Sequence, residues 1–224
     1  MSSKPYPEGG TVLQTFKQAF TDVAVDENNK VDTTQFLEAA ESWTTLFDAI
    51  AAVAFSPVKK DMLFNVGVVL FILIGTIEKI YSQGDLSREF QTAAPTKSTT
   101  LQDLIEHELS SNKQNAADGL LWLIRAIDFT FRALKRTVGN PKEELAESFR
   151  ISYKETLKPY HPFWIKPVFT ASMSLCPYRA AFIANLGDDA KQATSELKTH
   201  LEALSKTINI LSPFIEAKAA NKWK

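Results

Sequence analysis

Apolar positions recur at steps of three and four along most of this chain, which is the period of helices with one buried face. The clearest run is Gly119-Leu-Leu-Trp-Leu-Ile-Arg-Ala-Ile-Asp-Phe-Thr-Phe131. Leu120, Ile124, Ile127, Phe131 and Leu134 form its core stripe, while Asp118, Trp122, Arg125 and Phe129 fall on another. The spacing predicts a helix over about 115–138. Trp122, flanked by an acid and a guanidinium, can be read in two ways. It is either a partly buried indole with polar neighbours, or a flat stacking platform with hydrogen-bonding groups beside it, which would suit a sugar ring.

The same pattern predicts the other elements. Leu13, Phe16, Phe20 and Val23 share a face of a first helix, over about 11–24. Asp32-Thr-Thr-Gln35 has the spacing of a capping box, ahead of a helix carrying Phe36, Ala40, Trp43, Phe47 and Ile50. Ser56 and Pro57 open another helix, on which Asp61 and Asn65 lie four apart and so share a face. Residues 64–75 are then almost wholly apolar and rich in β-branched side chains. The run is too short to span a bilayer, which takes ~20 apolar residues. It reads as a deeply buried helix segment, a strand-like insert, or a stretch wrongly included in the coding sequence.

Residues 83–98 are polar and read as a loop. Thr100-Leu-Gln-Asp103 opens a helix, Gly139 ends the Trp122 helix, and Asn140-Pro-Lys-Glu143 caps the next, which carries Leu145, Phe149, Tyr153 and Leu157. Lys158-Pro-Tyr-His-Pro162 breaks that helix. A helix from Phe163 to Leu175 is expected to bend at Pro167, a short one spans about 178–185, and a long last one runs from Asp188 or Asp189 to Pro213. The expectation is an all-α chain with one domain over 11–217, a flexible lead over 1–10 and a tail over 218–224.

Composition narrows the function classes. The 224 residues carry 25 basic and 26 acidic side chains, a formal net charge of −1. Without a basic excess, nucleic acid is not an expected partner, and any membrane contact must rest on apolar and aromatic groups. The single cysteine, Cys176, allows no internal disulfide and fits a reducing compartment. The first ten residues have no apolar core, so no signal peptide is expected. His107, His161 and His200 are scattered, and neither zinc-ligand spacing, a nucleophile elbow nor a phosphate-binding glycine pattern occurs. No metal, cofactor or catalytic constellation is therefore expected. His161 is either a structural group at a proline-flanked helix start or a donor to a ligand's amide carbonyl. Phe163, Trp164 and Tyr153 are either core or a membrane-interface patch.

Four segments in order resemble the glycolipid transfer protein family, and most of all its fungal heterokaryon-incompatibility branch. They are Ser-Pro-Val-Lys-Lys-Asp61-Met-Leu-Phe-Asn65, Leu-Leu-Trp122-Leu-Ile-Arg125-Ala-Ile-Asp-Phe129, Leu-Lys-Pro-Tyr-His161-Pro-Phe-Trp-Ile-Lys-Pro-Val-Phe169, and Cys-Pro-Tyr178-Arg-Ala-Ala-Phe182. The similarity runs over about 30–217, apart from the apolar insert. It implies a two-layer helical sandwich that moves one glycosphingolipid between membranes without chemistry, as a cytoplasmic monomer that touches the bilayer transiently.

The resemblance also implies residue roles. Trp122 would stack on the first sugar, Asp61 and Asn65 would bond its hydroxyls, with Asp61 also taking the ceramide N–H, and His161 would donate to the ceramide carbonyl. Phe169 and Phe182 would line the apolar pocket, and Tyr153, Phe163 and Trp164 would meet the membrane. The family's sugar-facing lysine, three residues after the asparagine, is Val68 here. Either Lys79 takes that role after the insertion or the contact is absent. The alternative implied function is a transfer-impaired member acting as a lipid sensor or helical interaction module.

Overall fold

The computed structural model describes residues 6–82 and 100–219, and of 74–82 the backbone alone. Among these residues there are nine α-helices: α1 Thr33–Trp43, α2 Leu46–Ala51, α3 Ser56–Ser82, α4 Leu101–Ser110, α5 Asn115–Gly139, α6 Leu145–Glu155, α7 Ile165–Ser174, α8 Arg179–Leu186 and α9 Ala190–Ala219. Among the described residues, extended backbone pairs only as isolated bridges, such as Thr11 with Gly187 and Asp32 with Thr100. The expectation of an all-helical chain holds.

α5 is the axis of the packing. It lies against α3, α6 and α9, with α4 at its start. Its two stripes explain this, because Leu120, Leu123, Ile124, Ile127, Phe129, Phe131 and Leu134 are all buried, more than one flat partner could cover. Aromatic rings fill the centre. Phe55 stands 5.5 Å from Phe47 in a stack and 5.1 Å from Phe149, which meets Phe129 edge-on at 5.3 Å. Offset and edge-to-face geometry is what the ring quadrupole favours.

Several boundaries follow the capping residues. Asp32 accepts from the Gln35 N–H at 2.8 Å, and Thr100 from that of Asp103 at 3.3 Å. Gln35 does not reach back to its own cap; it accepts from the Ala24 N–H at 2.7 Å and ties the preceding segment down.

Five expectations are corrected. Residues 11–24 hold two short 3-10 turns, Val12–Thr15 and Phe20–Asp22, instead of one helix. Thr11 and Gln14 bond Glu196 on α9, so this segment is fixed side chain by side chain. Residues 6–10 belong to the packed body, since Tyr6 is buried and Gly9 donates to Asp188. Gly187 lets this strap pass, because a Cβ there would sit 2.8 Å from Thr11 Cγ2. The helix expected from Asn140 starts at Leu145; Glu143 is held instead by Arg136 and Ser148. α7 starts at Ile165, so Pro167 occupies its first turn, where the missing donor has no helical partner to lose, and no bend is needed. α9 runs past Pro213 to Ala219, carried by the buried Leu211, Ile215 and Ala219.

The apolar run 64–75 is helical and continuous with what precedes it. Val66, Val69 and Leu73 are buried, while Phe64 and Phe71 are 69% and 73% exposed. The loop expected over 83–98 and the tail beyond 219 lie outside the described residues, as does the side chain of Lys79.

Candidate functional site

α3 contributes Asp61 and Asn65 one turn apart. The Asn65 amide donates to the Asp61 backbone carbonyl at 2.9 Å and to its carboxylate at 3.3 Å. Asn65 is buried and Asp61 reaches solvent. Protein crowded around the Asp61 carboxyl still raises its pKa, since desolvation penalises the anion. The pair is one polar unit.

α5 presents Trp122, half-buried on the core. His161, from the segment between α6 and α7, lies nearly parallel to the indole, with centroids 6.1 Å apart and planes 19° apart. Its Nδ1 is 3.2 Å from the Tyr153 hydroxyl, and its ring meets Phe169 edge-on at 4.5 Å. Burial pushes the imidazole down to about 4, with Lys166 adding to the effect. Burial likewise drives Tyr153 up to about 12. The imidazole is thus neutral near pH 7, the state in which it can donate from one nitrogen and accept at the other.

Behind the indole lies Arg125, only 5% exposed. It grips Glu216 of α9 with two bonds of 2.9 and 3.1 Å. Its guanidinium carbon lies 3.5 Å from the Tyr160 ring centroid and 5.4 Å from that of Trp122. The planar, weakly hydrated cation suits both a fork on a carboxylate and a ring face. Arg125 Nη1 is buried without a hydrogen-bond partner. Neither Tyr160 nor Glu216 was legible as a partner, because the ion pair closes over 91 positions and no local spacing marks it.

A cavity of about 650 Å³ opens between α3 and α5. Asn65 and Trp122 border it, with Val68, Phe71, Asp118 and Gly119. The structure therefore brings Asn65, Trp122 and His161 together, with Asp61 attached through Asn65. Lys79 is 18 residues from Asp61 on one continuous helix, a rise of about 27 Å.

The remaining expected residues divide. Phe163 and Trp164 are 78% and 61% exposed and pack edge to face at 5.1 Å. Tyr153 does not join them. It is 2% exposed and stacks on Phe169 at 5.2 Å, so its expected membrane contact is corrected to a place in the core. Phe169 is half-buried and Phe182 wholly buried, and neither borders the α3–α5 cavity. Cys176 is pushed up to about 12 by burial, the property of an inert thiol. Among the described residues, no cluster of three acidic, histidine or cysteine side chains could hold a metal, and no helix is long and apolar enough to cross a membrane.

Residues 31–188 match the family model described as Glycolipid transfer protein (GLTP). The chain is 47% identical over 218 residues to a glycolipid transfer protein of Aureobasidium melanogenum, covering 97% of this chain and 98% of that one. Its fold is similar to the crystal structure of HET-C2, a fungal glycolipid transfer protein, with a TM-score of 0.79 and 47% identity over 93% of this chain and 98% of that one. The GLTP-fold structure of FAPP2, which selects simple glycosphingolipids, has a TM-score of 0.74 at 23% identity, over 93% of this chain and 96% of that one. These likenesses establish the helical sandwich of that fold.

Proposed function

The chain belongs to the glycolipid transfer protein family, and from that premise we propose that it carries one glycosphingolipid between membranes. The observation that carries the reading is the pairing of Trp122 with His161 beside a cavity that Asn65 also borders. The indole offers a stacking plane for the first sugar. Asp61 and Asn65 offer a carboxylate and an amide to its hydroxyls, and the Asp61 carboxylate also accepts the ceramide N–H. With the Tyr153 hydroxyl donating to Nδ1, we assign the imidazole hydrogen to Nε2, where it can bond the ceramide carbonyl. A few placed polar groups on an apolar wall are enough to select a headgroup.

The ceramide chains supply most of the affinity. Their transfer from water is favourable by about 25 cal/mol per Å² of buried apolar area. Phe169 stands next to His161, where the chains would leave the headgroup, and Phe182 would be reached only where the helical layers part. Phe163 and Trp164 serve as the bilayer contact. No bond is made or broken in this cycle, and a cytoplasmic monomer suffices for it.

The second reading, a member impaired in transfer that acts as a sensor or interaction module, is favoured by one observation. Val68 stands where the resemblance implies a lysine, and Lys79 lies about 27 Å along the helix from Asp61. Transfer of labelled galactosylceramide between phosphatidylcholine vesicles separates the two. Activity that falls in Trp122→Ala supports the carrier. A folded wild type that neither binds nor transfers the lipid leaves the second reading.

A further inference from the structure

From Met62 to Ile77 the chain carries no charged side chain. Along this part of α3, Val66, Val69 and Leu73 are buried against the body, while Phe64, Leu70 and Phe71 face outwards. Phe64 and Phe71 lie two helical turns apart and so share one face, about 10 Å from end to end. Gly67 lies between them, and a Cβ built there would meet nothing within 4 Å. The backbone is thus open between two projecting rings. A helix that is apolar on all sides calls for apolar surroundings on all sides, and this run is too short to cross a bilayer.

Resting on the carrier reading given under Proposed function, we propose that this face of α3 is a second bilayer contact, separate from Phe163 and Trp164. Phe64 and Phe71 enter the acyl boundary, and Gly67 lets the helix lie flat between them. Three observations favour a lipid surface over a protein. The rings border the same cavity as Trp122, and Trp122 stacks with His161, two positions before Phe163. Both aromatic patches therefore adjoin one headgroup site, which must face the bilayer for a lipid to enter it. The apolar area is also small. Two rings and Leu70 offer about 300 Å² per chain, well below the roughly 800 Å² per partner of a stable dimer, whereas attachment to a bilayer simply scales with the apolar area inserted. Finally, no charged side chain lies between the rings, which suits a neutral acyl boundary. Two weak contacts on one rigid body reinforce each other, so firm docking needs both. The second lengthens each stay on the membrane by lowering the off-rate.

The test is sedimentation of the full chain with phosphatidylcholine vesicles that lack glycolipid. The double variant Phe64→Ser, Phe71→Ser should lower the partition coefficient by about tenfold or more. Both are surface residues, so a folded variant is expected, and circular dichroism checks it. In a second measurement, Phe71→Cys carries an environment-sensitive dye, and the buried, unreactive Cys176 keeps the labelling selective. The dye should brighten on vesicles and be quenched by spin-labelled acyl chains. An unchanged partition coefficient in the folded double variant, or a dye that stays dark while the protein sediments with vesicles, overturns the contact. A wild-type dimer in vesicle-free solution that the double variant turns into monomer assigns the face to a second copy of the chain and overturns it too. A chain whose dye enters the bilayer but which neither binds nor transfers galactosylceramide upholds the contact and overturns the carrier reading.

Discussion

The Tyr153 hydroxyl and His161 Nδ1 face one another at 3.2 Å, and burial keeps both groups uncharged over the physiological range. The imidazole titrates near 4 in the folded chain and near 6.5 in the unfolded one. Protons therefore bind the unfolded state first. The contribution of His161 to stability is complete above about pH 6.5 and is lost as the pH falls towards about 4. Thermal melts at a series of pH values should show a steeper acid loss in wild type than in His161→Gln. Equal slopes would mean that the imidazole is not desolvated. Lipid binding should show no histidine-type step between about pH 5 and about pH 8.

Trp122 is half-buried, so removing it weakens both packing and binding. Trp122→Phe keeps a ring face, whereas Trp122→Ala keeps none. Affinity for galactosylceramide should fall by roughly tenfold or more in the alanine variant, and much less in the phenylalanine one. If both variants transfer lipid at the wild-type rate, the indole is a structural ring only.

The Arg125–Glu216 pair is asymmetric, with side chains 5% and 37% exposed. Removing the acid strands a buried cation, whereas removing the cation leaves an acid that water can reach. Glu216→Ala should cost about 3 kcal/mol, and Arg125→Met about 1 kcal/mol. Urea denaturation measures both. The reverse order would show that Arg125 gains more from the Tyr160 ring than from its carboxylate.

Phe163 and Trp164 project from the body, so replacing both with serine should change stability by less than about 0.5 kcal/mol. Sedimentation with phosphatidylcholine vesicles should show the loss of membrane association. Tyr153→Phe should do the opposite, leaving vesicle binding alone and altering the His161 environment. A vesicle-binding defect in Tyr153→Phe would return that residue to the membrane face.

Much of this molecule was legible because helical period, caps and breakers are local. The α5 stripe, the Asp32 and Thr100 caps and the Ser56-Pro57 start are read within a few positions and hold in the structure. What failed depended on distant partners. Residues 11–24 have helical spacing, yet Glu196 holds Thr11 and Gln14, and Asp188 holds Gly9 just before them, so the chain passes as a strap. Tyr153 has the amphipathic character of an interface residue, and only its burial, its stack on Phe169 and its hydrogen bond with the imidazole show it to be core. The continuation of α9 past Pro213 depends on apolar contacts of Leu211 and Ile215 that outweigh one lost bond. The exposed rings of 64–75 were visible as composition, but their alignment opposite Asp118 and Asn115 was not.

Deleting residues 64–74 would join Leu63 to Gly75, placing Thr76 and Lys79 at the helical positions of Asn65 and Val68. The shortened chain should unfold cooperatively and transfer galactosylceramide faster than wild type, the lysine gained at the position of Val68 outweighing the Asn65 amide lost to threonine. Fluorescence transfer and thermal melts check both. A shortened chain that folds and transfers no better would mean that a cation beside the sugar does not limit this protein.

The continuity of α3 has a geometric consequence. Eleven residues advance an α-helix by three whole turns with a remainder of only about 20°. Asn65 and Thr76 therefore have nearly the same azimuth, as do Val68 and Lys79, with each second member carried about 16 Å along the axis. A stretch of that length moves whatever follows it without rotating it. α3 can thus change its reach while its aim stays constant.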